Sequence, residues 1–205
     1  MRLRKKSERP TDTQQVQTQN GQATQSNQPN TYAFIDSQNL NLGTQKMGWK
    51  MDWRKFRRFL HDQYGVTKAY MFIGYIPENE DMYVQLHDSG YLIVLKPTQD
   101  MSKPQQPQAE NTEPKVEKPE DKKPVKGNID AELVLWAMKE INHYQKAIIV
   151  SGDGDFYCLL EYLDEQKKLS KILVPNRQYS SLFNKYQNYI VRLDQLRSQL
   201  SYRKG

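Results

Sequence analysis

Residues 146–156, KAIIVSGDGDF, place two acidic residues directly after an apolar run. The run Ala147 to Val150 is typical of a buried strand, and Asp153 and Asp155 follow it. In an open α/β sheet, ligands bind outside the carboxyl ends of parallel strands, so these acids are expected to face a binding crevice. Apolar residues recur at helical spacing from Phe156 onward, which predicts a helix beginning at or just after Asp153. One Asp would be explained as a helix N-cap, but two around a glycine are harder to explain by capping alone.

Other acids occupy similar places in the chain. The short apolar strand Tyr32 to Ile35 ends at Asp36, and Asn39 follows within FIDSQNLNLG. Farther along, Asn128 is predicted to cap a helix with Asp130 in its first turn, where the helix macrodipole also favours a negative charge. Four carboxylates are therefore expected at strand ends or helix starts.

Strands and helices alternate along the chain. Strands are predicted at residues 32–35, 66–77, 91–97, 146–150, 171–175 and 189–193. The expected helices are one capped by Asp52 and ended by Gly65, one at residues 80–89, those beginning at Asn128 and after Asp153, one at 179–185 and one from about Asp194. This order predicts an α/β protein with a mostly parallel sheet and right-handed crossovers.

Two segments are expected to be disordered. Residues 1–31 are polar, contain no aromatic residue and carry five basic residues, which form a potential nucleic-acid-contacting arm. Residues 97–124 contain six prolines with many Gln, Lys and Glu residues, which predicts a flexible insert. One domain is therefore expected over residues 32–200, interrupted at 97–124.

Composition narrows the classes of function. The 205 residues carry a net charge of +6, which favours anionic partners. Eight acids lie within residues 127–166, and nine Lys or Arg residues lie within 167–205, as an enzyme using a cation to act on a polyanion would need. The chain lacks an apolar run long enough for a membrane span and an apolar segment after the basic N-terminus, so we expect a cytoplasmic protein. The single cysteine, Cys158, is expected in the core.

The four carboxylates would repel one another strongly unless a cation lay among them. Mg²⁺ or Mn²⁺ suits a set of oxygen ligands without His or Cys. All three histidines lie in predicted helices away from these strand ends, which argues against zinc.

The sequence lacks the motifs of several other phosphate-binding sites, and it leaves some alternatives open. No GxxxxGK[ST] motif is present, and SGDGDFY lacks the third glycine of a dinucleotide fingerprint. A DxD after a strand also fits phosphatases of the haloacid dehalogenase type, although Tyr157 stands where that family usually has Thr or Val. Toprim domains combine a strand-end acid with a DxD, so a Toprim-like or other phosphotransfer enzyme stays open.

Three motifs in order, FIDSQNL, KGNID and VSGDGDF, resemble those of NYN domains, specifically the LabA-like branch of the PIN-like nuclease fold. The resemblance covers Tyr32 to about Leu196 and is interrupted by the insert. It implies a Rossmann-like, three-layer α/β/α sandwich and a metal-dependent ribonuclease. By this resemblance Asp36, Asp130, Asp153 and Asp155 would hold the cation, Asn39 would orient water or a phosphate, and Lys126 and Ser151 would touch the scissile phosphate.

The sequence thus predicts an Mg²⁺- or Mn²⁺-dependent endoribonuclease acting on single-stranded or structured RNA. The alternative is a non-catalytic RNA-binding or regulatory module, which would contact phosphates through its basic tail and through Arg57, Arg58, Arg177, Lys185 and Arg192. No membrane partner is expected, and a homodimer is left open.

Overall fold

A computed structural model describes residues 29–96 and 129–202. Its strands are β1 (Thr31–Asp36), β2 (Val66–Gly74), β3 (Leu92–Lys96), β4 (Lys146–Val150), β5 (Leu169–Val174) and β6 (Ile190–Arg192). Its α-helices are α1 (Ser37–Lys46), α2 (Trp53–Tyr64), α3 (Glu80–Asp88), α4 (Ile129–Lys139), α5 (Tyr157–Glu165) and α6 (Arg197–Leu200). Short 3₁₀ helices cover Pro77–Asn79, Gly154–Phe156, Ser181–Tyr189 and Leu193–Leu196. The predictions for the polar tail and the Pro-rich insert lie outside the described residues.

The six strands form one sheet in the order β3-β2-β1-β4-β5-β6, and every neighbouring pair is parallel. The predicted α/β class with a parallel sheet is therefore confirmed. The strand order reverses direction between β1 and β4, where Ile35 lies opposite Val150. Such a reversal opens a crevice at the carboxyl ends of the two strands, which is the usual ligand site of this architecture.

Both faces of the sheet are covered, because alternate residues of each strand point to opposite sides. Phe34 and Ile149 belong to a core that includes Leu133 of α4 and Leu160 of α5. On the opposite face, Ile35 and Val150 pack in a second core with residues from α1, α2, α3 and α6, among them Leu40, Phe56, Leu86 and Leu200. The result is a three-layer α/β/α sandwich, as predicted.

Local capping signals placed α2 correctly. The Asp52 side chain accepts a hydrogen bond from the Lys55 backbone N–H, and Gly65 ends the helix with a φ of 63°. Glycine is favoured there because a Cβ strains the left-handed conformation. The polar N-terminal tail was predicted to end at residue 31. Thr31 is instead the buried first residue of β1, so this boundary was placed one residue too late.

One helix was missed, and two local predictions were wrong. The polar stretch after Asp36 forms the ten-residue helix α1, which was not predicted. The segment expected as a helix at 179–185 is a 3₁₀ segment, Ser181–Tyr189, with non-helical dihedral angles at Tyr186. Cys158 is exposed on α5 rather than in the core, because the buried positions of that helix are Leu159, Leu160 and Leu163.

Candidate active site

Three predicted site segments meet at the carboxyl edge of the sheet. Asp36 ends β1, and Ser151 to Asp153 follow the last residue of β4. Asp130 lies in the first turn of α4, the helix that leads from this edge back to the start of β4. Since β1 and β4 are adjacent and parallel, these residues lie at the switch point of the sheet.

Asp36 is the only buried charged residue in the described part of the chain, with 4% of its surface exposed. Its Oδ1 accepts a hydrogen bond from the Asn39 backbone N–H (3.0 Å), and its Oδ2 accepts one from the Ser151 hydroxyl (3.1 Å). Burial raises the pKa of Asp36 from 3.8 to about 6, although both hydrogen bonds act to lower it. The charges of Asp130 and Asp153 raise this pKa further, so the three acids interact electrostatically.

The loop after β4 is fastened to the start of α1. The Gly152 backbone N–H donates to the Asn39 side-chain Oδ1 at 2.9 Å, and the Asp153 backbone N–H donates to the Ser151 hydroxyl at 3.1 Å. Because the Asn39 Oδ1 faces a donor, its Nδ2 group is the free end of the amide, and this group has no partner among the described residues. The Asn39 side chain is half-buried and therefore still reachable from solvent. The two N–H donors of its Nδ2 group suit the binding of an oxyanion.

Ser151 is fully buried, and its hydroxyl contacts only Asp36 and the Asp153 backbone in the described region. It therefore has no exposed atom with which to touch a phosphate, contrary to the expectation from the motif. Its part in the structure is to hold the Asp36 carboxylate and the turn that carries Asp153.

Asp153 and Asp155 differ in their surroundings. Asp153 is half-buried and caps the 3₁₀ turn, since its Oδ1 accepts the Asp155 backbone N–H at 3.1 Å. The Asp155 side chain is exposed, and the carboxylates that raise the pKa of Asp36 are those of Asp130 and Asp153. The structure thus brings three of the four predicted acids into one electrostatic group and leaves Asp155 outside it.

The loop after β5 packs against the loop after β4 and against α1, and it borders the candidate site. The Ser180 backbone N–H donates to the Gly152 carbonyl at 2.9 Å, and a Cβ on Gly154 would lie 2.5 Å from the Ser180 Oγ. Asn176 is 2% exposed and donates through Nδ2 to the Gly43 carbonyl at 2.9 Å. Arg177 lies in the same loop with an exposed side chain. Sequence reasoning found Arg177 but missed Asn176 and Ser180, although the polar residues after the apolar run of β5 were a usable signal.

The side chains at this edge meet some of the requirements of a divalent cation. Among residues 29–96 and 129–202, no three His, Cys, Asp or Glu side chains are grouped closely enough to form a metal site. The acids nevertheless supply oxygen ligands only, and Asp36 carries a charge in a buried place. Mg²⁺ commonly uses one or two carboxylates and keeps several waters, or takes oxygens from a substrate phosphate. The chemistry of the donors therefore fits Mg²⁺ or Mn²⁺.

A parallel sheet in this order with acids at its switch point defines a Rossmann-like domain of the PIN-like kind. The family model for the NYN domain matches residues 30–194, so this chain belongs to the NYN domain family, a family of PIN-like nucleases. This assignment sets aside the Toprim-like and dehalogenase-like alternatives.

A crystal structure of a protein of unknown function from Vibrio parahaemolyticus shares the fold, with a TM-score of 0.58 and 21% sequence identity. The alignment covers 86% of this chain and 99% of the Vibrio protein. A comparison with curated proteins gave no match. In the described ranges, no helix is long and apolar enough to cross a membrane.

Proposed function

We propose that this NYN domain hydrolyses phosphodiester bonds of RNA with the help of Mg²⁺ or Mn²⁺ bound at Asp36, with the charges of Asp130 and Asp153 adding to the attraction for the cation. The observation that carries the proposal is the buried Asp36 carboxylate at the switch point, whose pKa is raised mainly by its burial and further by the charges of Asp130 and Asp153. A site that only binds RNA would gain nothing from negative charge in its crevice, since phosphates are repelled by it. A cation removes this conflict because it is attracted to both the acids and the phosphate.

When bound, a divalent cation supplies Lewis acidity that activates water and offsets negative charge on the phosphate. With a pKa of about 6, Asp36 is mostly ionised at neutral pH and can act as a ligand. The Asn39 Nδ2 group can donate to a phosphate oxygen, and the exposed Arg177 can contact a phosphate on the strand. Ser151 positions Asp36 through its hydroxyl. Lys126, which lies outside the described residues, stays a candidate contact on the strength of the KGNID motif.

The test is to incubate the purified chain with labelled single-stranded RNA, structured RNA and DNA in Mg²⁺, in Mn²⁺ and in chelator. We expect cleavage of RNA only with metal. Asp36→Asn should reduce it roughly 100-fold or more, since even changes around metal ligands cost about 10–100-fold. Asp155→Asn removes the same charge from an exposed residue outside the acid group and is the matched control, with activity near that of the wild type. Equal cleavage by Asp36→Asn and the wild type would refute the site.

A non-catalytic RNA-binding module is the second candidate. The observation in its favour is that Asp36 and Asp153 both serve as N-caps, so these acids have a structural use without any cation. RNA bound in chelator and left intact in Mg²⁺ and Mn²⁺ would select this candidate. Membership of the LabA-like branch, a cytoplasmic location and the homodimer stay predictions.

A further inference from the structure

A cavity of about 510 Å³ lies near the end of α1, away from the Asp36 end of this helix. The residues that line it include Gln45 in the last turn of α1, Trp49 and Lys50 after this helix, and Arg197, Ser201 and Tyr202 near the end of the described chain. Two of the described lining residues are cationic and none is acidic. The cavity is therefore positively charged, and its polar side chains are predominantly hydrogen-bond donors.

The cations of the cavity keep unused hydrogen-bonding capacity. The Lys50 side chain is exposed and has no hydrogen bond or ion pair with the described residues. Arg197 donates through Nη1 to the Met47 carbonyl (3.5 Å) and through Nη2 to the Gly48 carbonyl (3.0 Å). A guanidinium has five N–H donors in a planar fork, so Arg197 is oriented by these contacts and can still donate to an anion. The buried Trp49 Nε1–H also lacks an acceptor in the described region.

Tyr202 provides an exposed aromatic ring at the border of this cavity. The residue is 60% exposed, and its backbone N–H donates to the Lys50 carbonyl at 2.9 Å. The preceding residue, Ser201, forms an antiparallel bridge with Met51, so the backbone at Tyr202 is held in place. Tyr202 also borders a second cavity of about 400 Å³, which is lined in part by Trp53 and Met82. A basic cavity beside a fixed aromatic ring combines the two elements with which proteins bind single-stranded nucleic acid.

We propose that the basic cavity binds a phosphate of a single-stranded RNA and that a neighbouring base stacks on Tyr202. Gln45 lies nine positions after Asp36, which corresponds to about 14 Å along the axis of α1. A strand of several nucleotides can span this distance, so one RNA molecule could occupy both the cavity and the carboxyl edge. The proposal goes beyond the cleavage reaction and does not depend on it, because binding is measured in chelator. A free nucleotide carries the same phosphate and base and must be distinguished from a strand.

The first experiment measures binding of a fluorescently labelled 12-nucleotide oligouridylate by anisotropy, in chelator and at several KCl concentrations. We expect Lys50→Glu to weaken binding about 10-fold and to lower the slope of log K against log salt by roughly 0.7 to 1, because one phosphate contact is lost. Lys139→Glu makes the same charge change at the end of α4, on the opposite edge of the sheet, and should bind within about two-fold of the wild type. Equal effects of the two substitutions would overturn the proposal.

The second experiment tests whether a base stacks on the Tyr202 ring. Tyr202→Ala should weaken binding of the oligouridylate about five-fold or more without changing the salt slope, because stacking releases no counterions. Tyr202→Phe keeps the ring and should bind like the wild type. Retained affinity in Tyr202→Ala would overturn the stacking contact. Lys50 and Tyr202 are both exposed, and circular dichroism melts check that the variants at these two positions fold.

A competition experiment distinguishes an RNA strand from a free nucleotide as the ligand that supplies the phosphate. If a strand is the ligand, affinity should rise with length from two to 12 nucleotides, and uridine monophosphate or inorganic phosphate should compete only weakly. Full competition by uridine monophosphate, with no gain from a longer strand, would overturn the assignment to RNA and identify a free-nucleotide site.

Discussion

Asp36 is both the N-cap of α1 and the buried carboxylate of the candidate site. Its pKa is about 6 in the folded protein and 3.8 as the ordinary value, so the folded state binds the proton more tightly than the unfolded state. At roughly 1.4 kcal/mol per pKa unit, the ionised group costs the metal-free folded protein on the order of 3 kcal/mol at neutral pH. This cost is greatest above pH 6 and disappears as the pH falls below 3.8.

Asp36→Asn should therefore stabilise the metal-free protein at pH 7.5, by on the order of 1–3 kcal/mol, because Asn caps a helix about as well as Asp and carries no charge. The advantage of the variant over the wild type should shrink as the pH falls from 7 to 4. Urea unfolding in chelator at pH 7.5, 6, 5 and 4 measures this difference. A difference that did not vary with pH would show that the pKa of Asp36 is not raised.

The exposed Asp155 provides the control for this measurement, because Asp155→Asn removes an acid that is not buried. Comparison with this variant separates the effect of losing a buried charge from the effect of losing a negative charge at the surface. Effects common to all three proteins, such as acid unfolding through other carboxylates, cancel in the comparison.

Among the elements, α1 connects the acid site to the loop after β5. Its first turn contains Asn39, which accepts the Gly152 N–H, and its Gly43 carbonyl accepts the Asn176 side-chain N–H. At Gly43 the helix packs so closely on the loop that an added Cβ would lie 2.5 Å from both Cβ and Cγ of Pro175. The glycine is thus required by the close approach of the loop that carries Arg177.

Gly43→Ala is expected to destabilise the protein, although Ala is a better helix former by about 1 kcal/mol. Overpacking typically costs about 1–3 kcal/mol, and here the obstacle is a rigid proline ring held by Asn176. A decrease in melting temperature of a few degrees should result. Gln38→Ala changes an exposed residue of the same helix and should be neutral or slightly stabilising. If Gly43→Ala melted as high as Gln38→Ala, the close packing of α1 on Pro175 would be disproved.

In the molecule as a whole, acidic and basic groups occupy different places along the carboxyl edge and α1. The interacting acids lie at the switch point, Arg177 lies in the loop after β5, and the basic cavity with Lys50 and Arg197 lies near the end of α1. This separation fits the proposed function, in which a polyanion contacts cations on either side of the acids, because exposed charges interact mainly over about 10 Å at 0.1 M salt.

The metal site can be tested on the whole molecule without any substrate. An ion that binds only the folded state stabilises it by mass action, by about 2.7 kcal/mol at 100 times its Kd. Millimolar Mn²⁺ should therefore raise the melting temperature of the wild type and of Asp155→Asn, and should raise that of Asp36→Asn much less. Thermal melts in chelator and in Mn²⁺ provide the comparison. Equal shifts in the wild type and Asp36→Asn would indicate that Mn²⁺ binds elsewhere.

The sequence by itself determined the features that depend on neighbouring residues. The period of apolar residues identified all six strands, and the Asp52 and Gly65 signals placed α2 correctly. It missed α1 because only Leu40, Gly43 and Thr44 of this helix are buried, so the apolar periodicity is weak. The acids were found because residues that directly follow apolar strands lie at the edge of a sheet.

Only the tertiary structure determined the burial, the hydrogen bonds and the electrostatic surroundings of each of these acids. Asp36 and Ser151 are 115 positions apart, and they form a hydrogen bond because β1 and β4 are adjacent strands in parallel register. The same packing buries Asp36 and raises its pKa, and it leaves Asp155 exposed although both acids come after an apolar run in the sequence. Burial and the distance between charges depend on strand order and on the covering layers. These quantities are set by contacts between distant segments, so the local pattern that revealed the acids does not contain them.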